Sequence, residues 1–92
     1  MLRIITEHRG DGSKRLELHG SIGGDWVAVL ERHWRDIREA ASAARLRVDL
    51  SNVVFIDAHG EELLRRMSQD GVEFDAAGVM NRYVIDKVSG GV

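Results

Sequence analysis

Ninety-two residues suffice for one compact domain with a small core, and a chain of this size buries only somewhat more than about 60% of its unfolded surface. The formal charge of −2 and the pI near 6.0 come from 13 basic and 15 acidic residues interspersed along the chain, which leaves no electrostatic footprint for nucleic acid. Cysteine is absent, no apolar run approaches the roughly 20 residues of a bilayer span, and Met1-Leu2-Arg3-Ile4 lacks the layout of a signal peptide, so disulfides are excluded and a cytoplasmic protein, not inserted in a membrane, is expected.

Proline is also absent, and glycine supplies the punctuation. Leu2 to Glu7 alternates loosely, Gly10-Asp11-Gly12-Ser13 is a turn cluster and Arg15 to His19 alternates strictly, which predicts a hairpin of the first two strands. The following Gly20-Ser21-Ile22-Gly23-Gly24-Asp25 lacks the Lys-Ser/Thr ending of a P-loop and the third glycine of a dinucleotide fingerprint. It reads as a flexible turn with Asp25 as a helix N-cap. Trp26, Val27, Val29, Leu30, Trp34, Ile37, Ala40, Ala41 and Ala44 then recur at helical spacing and carry the first helix to about Ala44. Of its two tryptophans, Trp26 in the first turn is the better candidate for a partly exposed anchor.

Arg45 to Leu50 alternates as strand three, which Ser51 and Asn52 are expected to end with local turn hydrogen bonds. The stretch from Val48 to Leu64 as a whole reads as a strand running into a capped helix. Asp57 is the N-cap, Glu61 and Glu62 put negative charge near the positive end of the dipole, and the helix runs from about Ala58 to Gln69. Leu63, Leu64 and Met67 face inward, with Glu61/Arg65 and Glu62/Arg66 as i,i+4 pairs on the wet side. Gly71 ends it. Val72 to Ala76 is a fourth strand, Asn81 to Val88 a short last helix, and Ser89-Gly90-Gly91 the start of a tail.

Strand, helix, strand, helix, strand between residues 15 and 76 implies two crossovers between parallel strands, and right-handed crossovers running one way put both helices on one sheet face. The alternation leads to the same place. Leu16, Leu18, Leu46, Val48, Leu50, Val72 and Phe74 form one face, and Arg15, Glu17, His19, Arg45, Arg47, Asp49, Glu73 and Asp75 the other, whereas strands covered on both sides read as continuous apolar runs. The expected class is α/β: a two-layer domain whose four-stranded mixed sheet has the order 1-2-3-4, with strand one antiparallel and the helices on one face. A single domain spans 1–92, with its core at about 2–88 and a flexible tail at 89–92.

The pattern of an apolar strand, then Asp49-Leu50-Ser51-x-Val53-x-Phe55-Ile56-Asp57-x-x-Gly60, then an amphipathic helix resembles the STAS domain, the fold of anti-sigma factor antagonists and of the cytoplasmic tails of sulfate transporters. The resemblance runs over roughly residues 2 to 88, and its specific part is Val48 to Met67. It implies a non-catalytic regulatory module that docks a protein through the edge where strand three meets helix two, here around Ser51, Asn52, Asp57, Ala58, His59, Gly60 and Glu61. The implied partner is an anti-sigma factor or a related regulatory kinase. Alternatively it is a transporter ATPase, since small STAS proteins also serve as accessory subunits of membrane transport systems. Ordinary members carry a phosphorylatable Ser or Thr at the place of His59, and phosphorylation there turns docking off. Ala58 and His59 give a Ser/Thr kinase no target, so this chain is expected to bind constitutively or to serve another partner. The family usually continues with a further strand and a long C-terminal helix, which makes this sequence resemble a minimal or trimmed member.

The remaining candidates have structural explanations. His59 falls at about the second helical position, where free amides and the dipole favour an anion, and it reads as a partly exposed histidine with no phosphotransfer role. His8, His19, His33 and His59 lie on different elements without ligand spacing, so no metal is expected. Ser13, Ser21, Ser42, Ser51, Ser68 and Ser89 have no base placed for them by spacing, so neither catalysis nor a cofactor is expected.

Overall fold

A computed structural model describes residues 1–41 and 44–75. The elements are β1 (Leu2–His8), β2 (Lys14–Ile22), α1 (Trp26–Ala40), β3 (Leu46–Ile56), α2 (Ala58–Gln69) and β4 (Glu73–Asp75). The last helix and tail expected at 81–92 lie outside the described residues. Strands stand in the order β1-β2-β3-β4, with β1 antiparallel to β2 and the other pairs parallel, as the segment order requires.

Period-2 alternation decides the faces. Leu16 and Leu18 of β2, Leu46, Val48 and Leu50 of β3, and Val72 turn to one side. There they meet Leu30 and Ile37 of α1 and Leu63, Leu64 and Met67 of α2, so both helices share that layer. The opposite face carries cross-strand ion pairs. Arg15 reaches Asp49 at 2.5 Å and Glu7 at 3.5 Å, and Arg47 reaches Asp75 at 2.5 Å and Glu73 at 3.0 Å.

Four details differ from expectation. First, α1 stops at Ala40, four residues before Ala44, where Ala41 swings to φ −153°. The alanine run has the propensity to continue. The chain must instead turn back to start β3 beside β2, and two bonds hold it there: Arg38 Nη1 donates to the Ala44 carbonyl (2.7 Å) and Lys14 N to the Arg45 carbonyl (2.9 Å). Second, Asp25 makes no side-chain cap. Its backbone is already helical (φ −64°, ψ −20°), whereas a capping side chain needs an extended backbone. The first amides turn back on the loop instead, Trp26 N to Gly23 O (3.1 Å) and Val27 N to Gly24 O (3.2 Å).

Third, Ser51 and Asn52 do not end β3, which runs on to Ile56 while β2 extends to Ile22. The register steps from Glu17↔Asp49 to His19↔Asn52 and again from Gly20↔Val53 to Ser21↔Phe55, so β3 carries one extra residue at each of two bulges. The first is held by Asp49, whose Oδ1 accepts the Ser51 N–H at 2.9 Å. Fourth, the wet side of α2 pairs differently. Arg65 meets Glu62 at i,i+3 (3.7 Å), and Arg66 reaches across to Glu31 of α1 (3.1 Å).

Candidate functional site

The junction of β3 and α2 is built around one carboxylate. Asp57 leaves β3 with an extended backbone (φ −84°, ψ 179°), which lets its side chain turn over the helix end. Oδ1 accepts the Gly60 N–H at 2.7 Å and caps α2. Oδ2 accepts the Gly24 N–H at 2.9 Å, across 33 residues of sequence, and thereby fixes the β2–α1 loop to the start of α2. The Gly60 and Gly24 amides hold the Asp57 carboxyl below its ordinary 3.8. Backbone bonds from Asp57 N to Ile22 O (3.1 Å) and from Glu61 N to Asp57 O (2.9 Å) complete the joint.

Two glycines make the approach possible. A Cβ on Gly60 would collide with the Ile22 carbonyl and stand 2.9 Å from Ile22 Cγ2, so the first turn of α2 rests directly on the end of β2. On Gly23 a Cβ would stand 3.0 Å from Asp57 Oδ2 and 3.5 Å from Phe55 Cε2. The Phe55 ring therefore borders the loop from which Trp26 starts α1.

Of the residues singled out in the sequence, Asp57, Ala58, His59, Gly60 and Glu61 come together at this joint. Ala58 and His59 are exposed, Asp57 and Glu61 half-buried, and Gly60 buried, so Gly60 contributes packing and no surface. Ser51 and Asn52 are exposed on β3. They lie one strand length away, since the five or six residues to Asp57 span roughly 17–20 Å of extended chain. Ser51 is tied into the Asp49 bulge. Burial opposes ionisation of Asp49, but its hydrogen bonds to Ser51 and the Arg15 guanidinium outweigh it and hold this carboxyl below the ordinary 3.8 as well.

The joint has neighbours that the pattern of the sequence concealed. Val54 is 82% exposed and Phe55 58%, and on α1 Val29 (42%) and Trp26 (37%) are partly exposed. Strict alternation would send only one of two adjacent strand residues outward. The second bulge breaks that rule and puts Val54 and Phe55 both outside, while Val53 stays buried at 4%. Trp26 alone was marked by its position in the first turn of α1. Among the described residues, no group of three or more His, Cys, Asp or Glu side chains could hold a metal ion, and no helix is long and apolar enough to cross a membrane.

No family model and no curated protein matches the sequence. Among solved structures, an uncharacterized DUF3478-family protein with a SpoIIAA-like fold, from Shewanella loihica PV-4, superposes with a TM-score of 0.63 at 9% identity, covering 99% of this chain and 79% of its own. The fold is thus SpoIIAA-like, which is the STAS fold. A protein named Mglu superposes with a TM-score of 0.59 at 26% identity over 82% of this chain, which spans only 19% of the Mglu chain.

Proposed function

We propose that the chain is a non-catalytic protein-interaction module that docks a regulatory partner through the end of the domain where β3 enters α2. The observation that carries this reading is the pair of aromatic side chains Phe55 and Trp26, both reaching solvent and joined by the Gly23 loop, beside a helix entrance held by the Asp57 clamp, with Val54 and Val29 exposed on the same two elements. Isolated exposed apolar residues are ordinary on a protein surface. Aromatic anchors gathered at one rigid, exposed end have the make-up of a binding site. The SpoIIAA-like fold supports a partner of the kind that anti-sigma factor antagonists engage, an anti-sigma factor or a related kinase. Docking on this reading is not switched by a Ser/Thr kinase at the helix entrance, because Ala58 and His59 carry no hydroxyl.

The test is affinity capture from the source cell with the full chain, followed by purification of the captured protein and a binding titration. A sigma-regulating protein that binds wild type and loses affinity for His59→Glu, at unchanged melting temperature, supports the proposal. Capture of a transporter ATPase would move the partner class to the transport alternative, and a His59→Glu variant that binds as well as wild type would place the contact elsewhere. Mass spectrometry after incubation with lysate kinases is expected to find residues 57–62 unmodified.

A further inference from the structure

The outer edge of β1 carries a second feature, independent of the docking end. Among the described residues β1 pairs only with β2, and both helices pack chiefly over β2 and β3. The direction of its backbone groups is fixed at the two ends of the hairpin, where Met1 O accepts the Ser21 N–H and Arg9 N donates to Ser13 O, each at 2.9 Å. Between them the register runs unbroken from Leu2↔Gly20 to His8↔Lys14. Successive residues of an antiparallel strand turn their backbone groups to opposite sides, so the odd-numbered residues of β1 bond β2, and Leu2, Ile4, Thr6 and His8 turn N–H and C=O outward. Edges of this kind are normally blunted by proline, a bulge or repelling charge. β1 has neither proline nor bulge, and Arg3 and Glu7 are of opposite sign.

We infer that the β1 edge pairs with the β1 edge of a second copy of this chain, antiparallel about a two-fold axis through Ile5. Bonds across such an edge join even-numbered residues only, so the axis passes through a residue, and Ile5 is the choice that uses the whole strand. It sets Leu2 against the partner's His8 and Ile4 against the partner's Thr6, each pair exchanging two main-chain bonds. Between these, Arg3 faces the partner's Glu7, twice by symmetry, and Ile5 faces its own copy, in the positions where opposed side chains stand closest. An axis through Thr6 would set Arg3 against Arg9 and Ile5 against Glu7, and one through Ile4 would set Ile5 against Arg3. The charges fit the Ile5 register. Arg3 is exposed and has no ion pair among the described residues, while Glu7 has Arg15 at 3.5 Å and Arg9 at 3.7 Å, and Arg15 makes its close contact with Asp49 instead. Ile5 is half-buried on the otherwise charged face, opposite Glu17, and on the axis it is covered by its own copy. The charges select the register, and the main-chain bonds with Ile5 supply the contact.

The experiment is sedimentation of the full chain from about 1 µM to about 1 mM, a range suited to one strand pair, which lies at the small end of interface sizes. The expected result is a concentration-dependent shift from the 10.3 kDa chain to twice that mass. Thr6→Pro removes an outward N–H and blocks the edge, so it should stay monomeric with its fold intact by circular dichroism. Arg3→Glu and Glu7→Arg each oppose like charges across the axis and should each weaken self-association about tenfold or more. An equimolar mixture of these two variants opposes unlike charges at both positions and should associate as wild type does. Arg3 and Glu7 are exposed, so this pair of variants reads the edge without proline. A wild-type chain that stays monomeric throughout, a dimer that survives Thr6→Pro, or a mixture that associates no better than its components overturns the assignment. None of these variants alters Phe55 or Trp26, so failure here is distinct from failure of partner docking.

Discussion

Asp57 serves two partners with two oxygens, and substitutions can separate them. Asn keeps the Oδ1 acceptor for Gly60 but presents an amide donor to the Gly24 N–H, so Asp57→Asn should retain the α2 cap and loosen the β2–α1 loop. Hydrogen exchange is expected to speed up at Gly24 and Trp26 in this variant and to stay slow in α2. Asp57→Ala loses both bonds and should lower the melting temperature further. Gly60→Ala acts differently: its methyl meets backbone at the Ile22 carbonyl, so α2 must shift, and overpacking of this kind typically costs about 1–3 kcal/mol. Thermal unfolding of the purified variant measures that loss.

The same residues set the response to acid. Asp57, Asp49 and Asp11 are held below their ordinary 3.8, and Glu31, hydrogen-bonded by Arg66, below 4.5. A carboxylate whose pKa is depressed in the folded state stabilises it above the unfolded value and loses that contribution as pH falls through the folded one. Stability is therefore expected to be level from neutral pH down to about 5 and to fall progressively below about 4.5. Asp57→Asn should flatten part of that fall. A melting temperature that rises on acidification through this range would contradict the assignment.

At the scale of elements, the core predicts where stability resides. Leu63 of α2 is fully buried against the sheet, and Leu63→Ala should cost about 2–5 kcal/mol while leaving the affinity of the folded fraction for a partner unchanged. Most of this layer was legible in the sequence, because Arg15–His19 and Arg45–Leu50 alternate cleanly and Asp57-x-x-Gly60 carries its own capping chemistry. Two elements were not legible for physical reasons. The alanines after Ile37 favour helix locally, yet the return to β3 overrides them through the Arg38–Ala44 bond. The bulges in β3 arise from pairing with β2, which no local pattern in Ser51 to Phe55 specifies on its own. The candidate site divides the same way. Its capped entrance could be read from Asp57 and Gly60, whereas the outward turn of both Val54 and Phe55 depends on the bulge.

At the scale of the molecule, the two sheet faces have separate tasks. One is filled by both helices, and the other is latticed by the part-buried pair of Arg15 with Asp49 and by exposed pairs such as Arg47 with Asp75, each exposed pair contributing only about 0.2–1 kcal/mol. Arg45→Glu/Arg47→Glu reverses charge beside Glu73 and Asp75 and should cost some stability without changing the sedimenting mass; a changed mass would give this face a part in assembly. The docking claim rests on the other end of the fold, where the apolar side chains adjoin the Asp57 clamp. Its most direct test is the affinity of the captured partner for Phe55→Ser and Trp26→Ala. Phe55 is 58% exposed, so Phe55→Ser should hold the melting temperature near wild type, whereas Trp26 is 37% exposed and its truncation is expected to cost some stability as well; affinity is therefore compared for the folded protein, where removal of a true anchor costs roughly 2 kcal/mol or more, about thirtyfold in Kd. Partner affinity unchanged in both variants would contradict docking at this end of the domain.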